Sequence, residues 1–90
     1  MIRSFRSKAL RLYFETGKTK GLSVSNEARI GRILRALDVA TQPEQLNLPG
    51  YYFHRLRGEA RWSARVTGNW RITFGWNGPD AIDVDLEDYH

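Results

Sequence analysis

Residues 62–74 read WSARVTGNWRITF, and this stretch decides the fold. Apolar and polar residues alternate on both sides of a turn-forming tripeptide, residues 67–69, which predicts an antiparallel hairpin. A three-residue loop gives the pairs Trp62–Phe74, Ala64–Ile72 and Val66–Trp70. All six apolar side chains then lie on one face, as a buried sheet face requires.

The same register places Arg65 opposite Arg71 on the other face of the hairpin. Like charges directly opposite each other destabilise a sheet, so an anion between the two guanidinium groups would be favourable. Alternatively, both side chains extend into water or pair with Asp85 or Glu87 on a neighbouring strand. A two-residue loop would remove the pairing and the argument with it.

Before the hairpin, apolar residues recur at the spacing of a helix in two places. Leu10, Tyr13 and Phe14 predict a short helix within residues 8–14, and a clearer apolar stripe predicts a second helix through Ile30, Ile33, Leu34 and Leu37. The candidate N-caps of the second helix are Ser23, Ser25 and Asn26.

A loop and a last strand complete the predicted domain. Prolines at 43 and 49 break the helical pattern, with one turn near residues 44–46. Ile82, Val84 and Leu86 alternate with acidic residues and predict a strand with these three on its buried face. Two helices followed by an antiparallel meander make an α+β domain, predicted as one domain over residues 1–90.

Composition limits the class of protein further. The 90 residues have no cysteine and no apolar run long enough to span a membrane, and the first residues lack the apolar core of a signal peptide, so a cytoplasmic location is expected. Residues 1–71 hold all 14 Lys and Arg against five acids, a net +9, whereas residues 72–90 hold five acids and no cation. Eleven of the cations are Arg, which favours phosphate or nucleic acid as the partner.

Two histidines are the candidates for proton transfer. His54 lies among apolar residues before the hairpin, where an isolated histidine is usually structural, and His90 ends the chain, where residues are usually frayed. Asp88 and Tyr89 add a carboxylate and a phenol beside His90. With the arginines, this set suits metal-free phosphodiester cleavage. Neither a zinc pattern, a phosphate-binding glycine loop nor a serine nucleophile elbow is present.

The sequence resembles HigB-type toxins of the RelE/ParE superfamily, from bacterial type II toxin–antitoxin systems. The resemblance is carried by four short blocks and by the opening residues 1–5: Leu56-Arg57-Gly58, Trp62-Ser63-Ala64-Arg65-Val66, Asn69-Trp70-Arg71-Ile72-Thr73-Phe74 and Asp88-Tyr89-His90. It spans essentially the whole chain and implies a RelE-like microbial RNase fold, with two helices packed on a curved antiparallel sheet.

The resemblance also implies a function. It implies ribosome-dependent cleavage of mRNA in the decoding site, with neither metal nor cofactor. It implies inhibition by a helix-turn-helix, HigA-like antitoxin, through which the complex binds operator DNA. By family pattern the catalytic residues are His54, Asp88, Tyr89 and His90. The RNA- and phosphate-binding residues are Arg57, Arg65 and Arg71.

A second hypothesis is a non-catalytic basic module that binds nucleic acid or a protein such as gyrase, as some members of the superfamily do. An approach of His54 to within about 10 Å of the C-terminal residues would favour catalysis, because reacting groups must converge on one bond. Wide separation would favour binding.

Overall fold

The computed structural model describes residues 1–24 and 26–89 and confirms the α+β class. Two helices, α1 (Lys8–Thr16) and α2 (Glu27–Val39), precede a 3₁₀ turn at Pro43–Leu46 and a sheet. The strands pair antiparallel in sequence order. They are β1 (His54–Arg55), β2 (Arg61–Thr67), β3 (Trp70–Asn77) and β4 (Asp80–Asp88).

Side-chain caps fix where both helices begin. The Ser7 hydroxyl accepts a hydrogen bond from the backbone N–H of Leu10 at the start of α1. Asn26 does the same for Arg29, so Asn26 is the N-cap of α2 among the predicted candidates, of which Ser25 lies outside the described residues. None of the helices in the described part of the chain is long and apolar enough to cross a membrane.

The predicted stripe of α2 lies at the centre of the core. Its four residues are at most 1% exposed and pack with the apolar face of the sheet, where Ile72 and Phe74 of β3 are fully buried. The helices therefore cover one face of the sheet and leave the other face to polar side chains.

The β2–β3 hairpin confirms the predicted register except at its turn. The pairs Trp62–Phe74, Ala64–Ile72 and Arg65–Arg71 are all present. Thr67 pairs with Trp70, so the loop has two residues and the predicted Val66–Trp70 pair is wrong. A β-bulge at Val66 adds one residue to β2, which compensates for the one residue missing from the loop. Arg65 therefore still pairs with Arg71, although a two-residue loop was expected to remove this pair.

A second bulge changes which residues of β4 are buried. Between the pairs Thr73–Asp85 and Gly75–Ile82, β4 has one residue more than β3, and Asp83 there has a φ of 51°. The prediction that Ile82 shares the buried face with Val84 and Leu86 is wrong. Ile82 lies on the opposite face, and the fully buried Ala81 joins the core instead.

The first residues run parallel to β4 along its outer edge. Ile2 bridges to Ala81 and Phe5 to Val84, with the backbone N–H of Arg3 donating to the Ala81 carbonyl at 2.8 Å. The N-terminal amine lies 3.5 Å from the Asp80 carboxylate. This segment covers residues 81–84 of the β4 edge.

Candidate active site

The face of the sheet opposite the helices carries two adjacent rows of polar side chains. Pairing between strands aligns one row across all four strands: His54, Ser63, Thr73 and Asp85. The second row lies two residues along each strand: Arg65, Arg71 and Glu87. Together with Arg61, these residues are called the polar face below.

Arg61 organises the centre of the polar face. Its side chain is buried, and Nη2 donates to the Thr73 hydroxyl at 3.0 Å and to the Asp83 carbonyl at 2.9 Å. The Thr73 hydroxyl donates in turn to Oε2 of Glu87 at 2.6 Å. These bonds satisfy a buried cation and hold the Glu87 carboxylate in one place.

Tyr89 is the residue after β4, and its side chain reaches back over the polar face. Its hydroxyl donates to Glu87 at 3.4 Å, and its backbone N–H donates to the Asn69 carbonyl at 2.9 Å. Burial raises the pKa of Tyr89, and the negative charges of Glu87 and Glu59 raise it further, against a smaller opposite effect of Arg61. The phenol therefore stays protonated near neutral pH and can donate a hydrogen bond.

His54 lies on the edge strand β1 and is exposed to solvent. Its Nδ1 atom is 3.1 Å from the Tyr52 carbonyl, and its ring is 3.4 Å from the Ser63 hydroxyl. Because a carbonyl oxygen only accepts, the first contact requires a proton on Nδ1. In the neutral ring Nε2 is then the unprotonated nitrogen that a general base needs, and it lies 3.4 Å from the Ser63 hydroxyl, which can donate to it.

Arg65 and Arg71 lie directly opposite each other on this face. Arg65 donates from Nε to the Gly68 carbonyl at 3.0 Å, and its guanidinium lies 5.1 Å from the centre of the Tyr52 ring. Nη1 of Arg71 is buried and has no hydrogen-bond partner among the described residues. Neither arginine forms an ion pair with Asp85 or Glu87. Two cations and an unused donor thus lie side by side, which is the arrangement expected of an anion site.

The structure gathers some of the predicted residues and not others. His54, Arg65, Arg71 and Tyr89 share the polar face. Asp88 is paired with Trp70, so strand alternation turns it to the face opposite Glu87. Arg57 lies exposed in the turn between β1 and β2, and His90 lies outside the described residues.

The two halves of the predicted catalytic group come from opposite edges of the sheet. Strands β1 and β4 are three interstrand steps apart, about 14 Å between backbones at the usual spacing. The Tyr89 side chain contacts Glu87 of β4, so it stays on the β4 side of the polar face. This backbone separation exceeds the distance of about 10 Å that was expected to favour catalysis, so the spacing of the strands does not itself bring the two halves together.

Arg61, Ser63 and Thr73 were not predicted as site residues. The signal was available, because the alternation that marks the apolar face of β2 and β3 also marks these three residues as members of the other face. No group of three or more His, Cys, Asp or Glu side chains that could hold a metal ion occurs among residues 1–24 and 26–89.

Comparison with known proteins agrees with the resemblance read from the motifs. The family model of the RelE-like toxin HigB, of type II toxin–antitoxin systems, matches residues 3–90. A protein of Proteus vulgaris named Endoribonuclease HigB is 45% identical to this chain, and the alignment covers both chains completely. The chain therefore belongs to the HigB family of RelE-like toxins of type II toxin–antitoxin systems, whose partner is an antitoxin.

Proposed function

We propose that this chain is a ribosome-dependent endoribonuclease that cleaves mRNA in the decoding site and so inhibits translation. The observation that carries the proposal is the Arg65–Arg71 pair, two opposed cations that share a face with His54 and lack a carboxylate partner among the described residues. The name of the Proteus vulgaris relative supports RNA cleavage as the reaction.

The reaction is transfer of a phosphodiester from the 5′-oxygen of one nucleotide to the ribose 2′-oxygen of its neighbour. A general base takes the 2′-hydroxyl proton while the oxygen attacks phosphorus, and a general acid protonates the 5′-oxygen as its bond to phosphorus breaks. The products are a 2′,3′-cyclic phosphate and a 5′-hydroxyl. His54 and His90 share the acid and base work, and the reaction uses neither metal nor cofactor.

The arginines act on the charge that develops at phosphorus. The pentavalent transition state has more negative charge on its non-bridging oxygens than the substrate has, so fixed donors stabilise it preferentially. Nη1 of Arg71 is a donor without a partner among the described residues, and because it is buried it must be uncovered when the phosphate binds. Arg65 is held by the Gly68 carbonyl, and Arg57 contacts the RNA backbone from the exposed turn beside β2.

Tyr89 and Asp88 act beside these groups. The raised pKa of Tyr89 keeps its phenol available as a donor that orients the substrate. Asp88 assists His90 from its position two residues earlier in the chain. Asp88 points to the face of the sheet opposite the polar face. This placement supports a role through the chain end rather than direct contact with the phosphate.

The proposed partners follow from family and charge. A HigA-like helix-turn-helix antitoxin inhibits the toxin in the cytoplasm, and the complex reaches operator DNA through the antitoxin. The ribosome presents the mRNA. The basic residues of positions 1–71 supply attraction to RNA backbone, and binding should therefore weaken as salt rises.

Primer extension after induction tests the proposal most directly. Two otherwise identical transcripts, one with and one without a functional ribosome-binding site, are compared in cells expressing the toxin. We expect cuts within the translated reading frame alone. Cuts in the untranslated transcript would contradict ribosome dependence, and a growth arrest without cuts in either transcript would contradict the nuclease.

A further inference from the structure

Tyr52 is an exposed aromatic residue with an unusual backbone. Its side chain is 64% exposed, and its φ of 48° lies in the left-handed region that bulky residues seldom adopt. Its neighbours Tyr51 and Phe53 pack against the core, whereas Tyr52 does not. Packing in the core is therefore not the reason for an aromatic residue at this position.

The surrounding contacts hold this backbone in place. The Tyr52 carbonyl accepts from Nδ1 of His54, and the Tyr51 carbonyl accepts from the backbone N–H of Arg65 at 2.7 Å. Arg29 of α2 donates to the Arg65 carbonyl at 3.0 Å and lies 5.0 Å from the centre of the Tyr51 ring. A strained residue fixed from several sides is typical of functional sites.

The Tyr52 ring stands at the end of the row that contains the two arginines. Tyr52 lies two residues before β1, next to Tyr51, whose carbonyl accepts from the backbone N–H of Arg65. The Arg65 guanidinium lies over the ring, 5.1 Å from its centre, and the exposure of the side chain leaves ring surface open to solvent. An exposed aromatic surface thus adjoins the proposed phosphate site.

We propose that Tyr52 is a stacking platform for a nucleobase of the bound RNA, beside the phosphate that Arg65 and Arg71 hold. The inference rests on the proposed function and adds a base-binding subsite to it. Stacking on an aromatic ring accepts any base, because every base has a π-face. The subsite would increase affinity for RNA without selecting a sequence.

The test compares two variants of Tyr52 with a control. Tyr52→Asn removes the ring but suits the left-handed backbone, Tyr52→Phe keeps the ring, and Val39→Asn removes an exposed apolar side chain on α2. The probes are a fluorescein-labelled 2′-O-methyl RNA hexamer, which cannot undergo 2′-hydroxyl attack, and the same hexamer with abasic residues. Binding is measured by fluorescence anisotropy, and folding of each variant by circular dichroism.

We expect Tyr52→Asn to weaken binding of the base-containing hexamer about tenfold. Tyr52→Phe and Val39→Asn should stay within about twofold of the original protein, and the abasic hexamer should bind Tyr52→Asn as well as it binds the original protein. Equal binding of the base-containing hexamer by Tyr52→Asn would overturn the inference. So would an equal loss with the abasic hexamer, since the ring would then act through Arg65.

A second measurement does not depend on any variant folding. Hexamers with 2-aminopurine at each position in turn should show quenching at one or two positions when they bind the original protein. Absence of quenching at all six positions, or absence of binding, would overturn the subsite. The nuclease itself is judged separately by the primer extension above, so the two proposals can fail independently.

Discussion

Arg65 and Arg71 face each other across β2 and β3, and neither forms an ion pair with a carboxylate within the described part of the chain. Such a pair opposes folding in the free protein by about 0.2–1 kcal/mol, the usual size of a cross-strand pair term. A bound phosphate converts the same pair into an attraction. The relationship therefore predicts opposite effects of one substitution on stability and on activity.

Arg71→Gln should slow RNA cleavage by about 10²–10³-fold, the usual effect of removing one donor to a developing oxyanion. Stability should stay unchanged or rise by a few tenths of a kcal/mol, about the size of the relieved repulsion. Cleavage is measured in a reconstituted translation reaction and stability by urea unfolding. Arg32→Gln, on the exposed side of α2, makes the same charge change and should leave both quantities unchanged. Full activity of Arg71→Gln would refute the phosphate site.

His54→Ala should relieve growth arrest and lower cleavage by about 10²–10⁴-fold, the range for loss of a general acid or base. The fold should survive, because the side chain is exposed and its contacts are confined to one carbonyl and one hydroxyl. His90→Ala and deletion of residues 89–90 should give the same phenotype. Growth arrest and circular dichroism are the readouts. If His54→Ala and His90→Ala both remain fully toxic, the protein acts as a binding module instead.

Glu87→Gln should lower the pKa of Tyr89 toward its ordinary value of 10.0, because the negative charge of Glu87 is one of the causes that raise it. Burial, the largest cause, remains. The shift is followed by ultraviolet titration of tyrosinate, with Tyr89→Phe subtracted to isolate the residue. Asp88→Asn is the matched control, because Asp88 points to the opposite face and should leave this pKa nearly unchanged. An equal shift in both variants would show that net charge, and not the Glu87 contact, is responsible.

Asp80→Asn should remove part of the acid sensitivity of folding. The hydrogen bond from Arg3 holds the pKa of Asp80 below its usual value, and the N-terminal amine contributes in the same direction. The ionised carboxylate therefore stabilises the fold above a pH of about 4, and this contribution is lost as pH falls through the folded-state pKa. Urea midpoints of the original protein and the variant should differ at pH 7, and the difference should shrink as the pH falls below about 4. Glu44→Gln, in the exposed 3₁₀ turn, should show no such convergence.

The alternation of residues 62–74 was sufficient to predict the hairpin and its pairing of arginines. It could not reveal that the loop has two residues, because a bulge at Val66 restores the register and leaves the apolar pattern intact. The prediction held for Arg65 and Arg71 although the assumed turn was wrong. Burial of one face constrains the register more strongly than the turn does.

The β4 bulge explains why the C-terminal residues were harder to place. Without the bulge, the pairing that starts at Asn77–Asp80 beside the β3–β4 turn would continue unchanged along both strands. It would put Leu86 opposite Arg71 and turn Val84 out of the core. The extra residue at Asp83 switches every later side chain to the other face, which pairs Glu87 with Arg71 and sends Asp88 away. The hydrogen bonds among Arg61, Thr73 and Glu87 depend on this switch, and so could not be predicted from spacing alone.

The parallel bridges of Ile2 and Phe5 to β4 also bear on how the toxin avoids self-association. A sheet edge with free backbone donors and acceptors is a template for another chain. At the opposite edge, β1 spans only two residues, and at this edge the N-terminal segment covers residues 81–84 of the nine-residue β4. The first residues thus protect the molecule from edge-to-edge aggregation, and an affinity tag that displaced them would remove that protection.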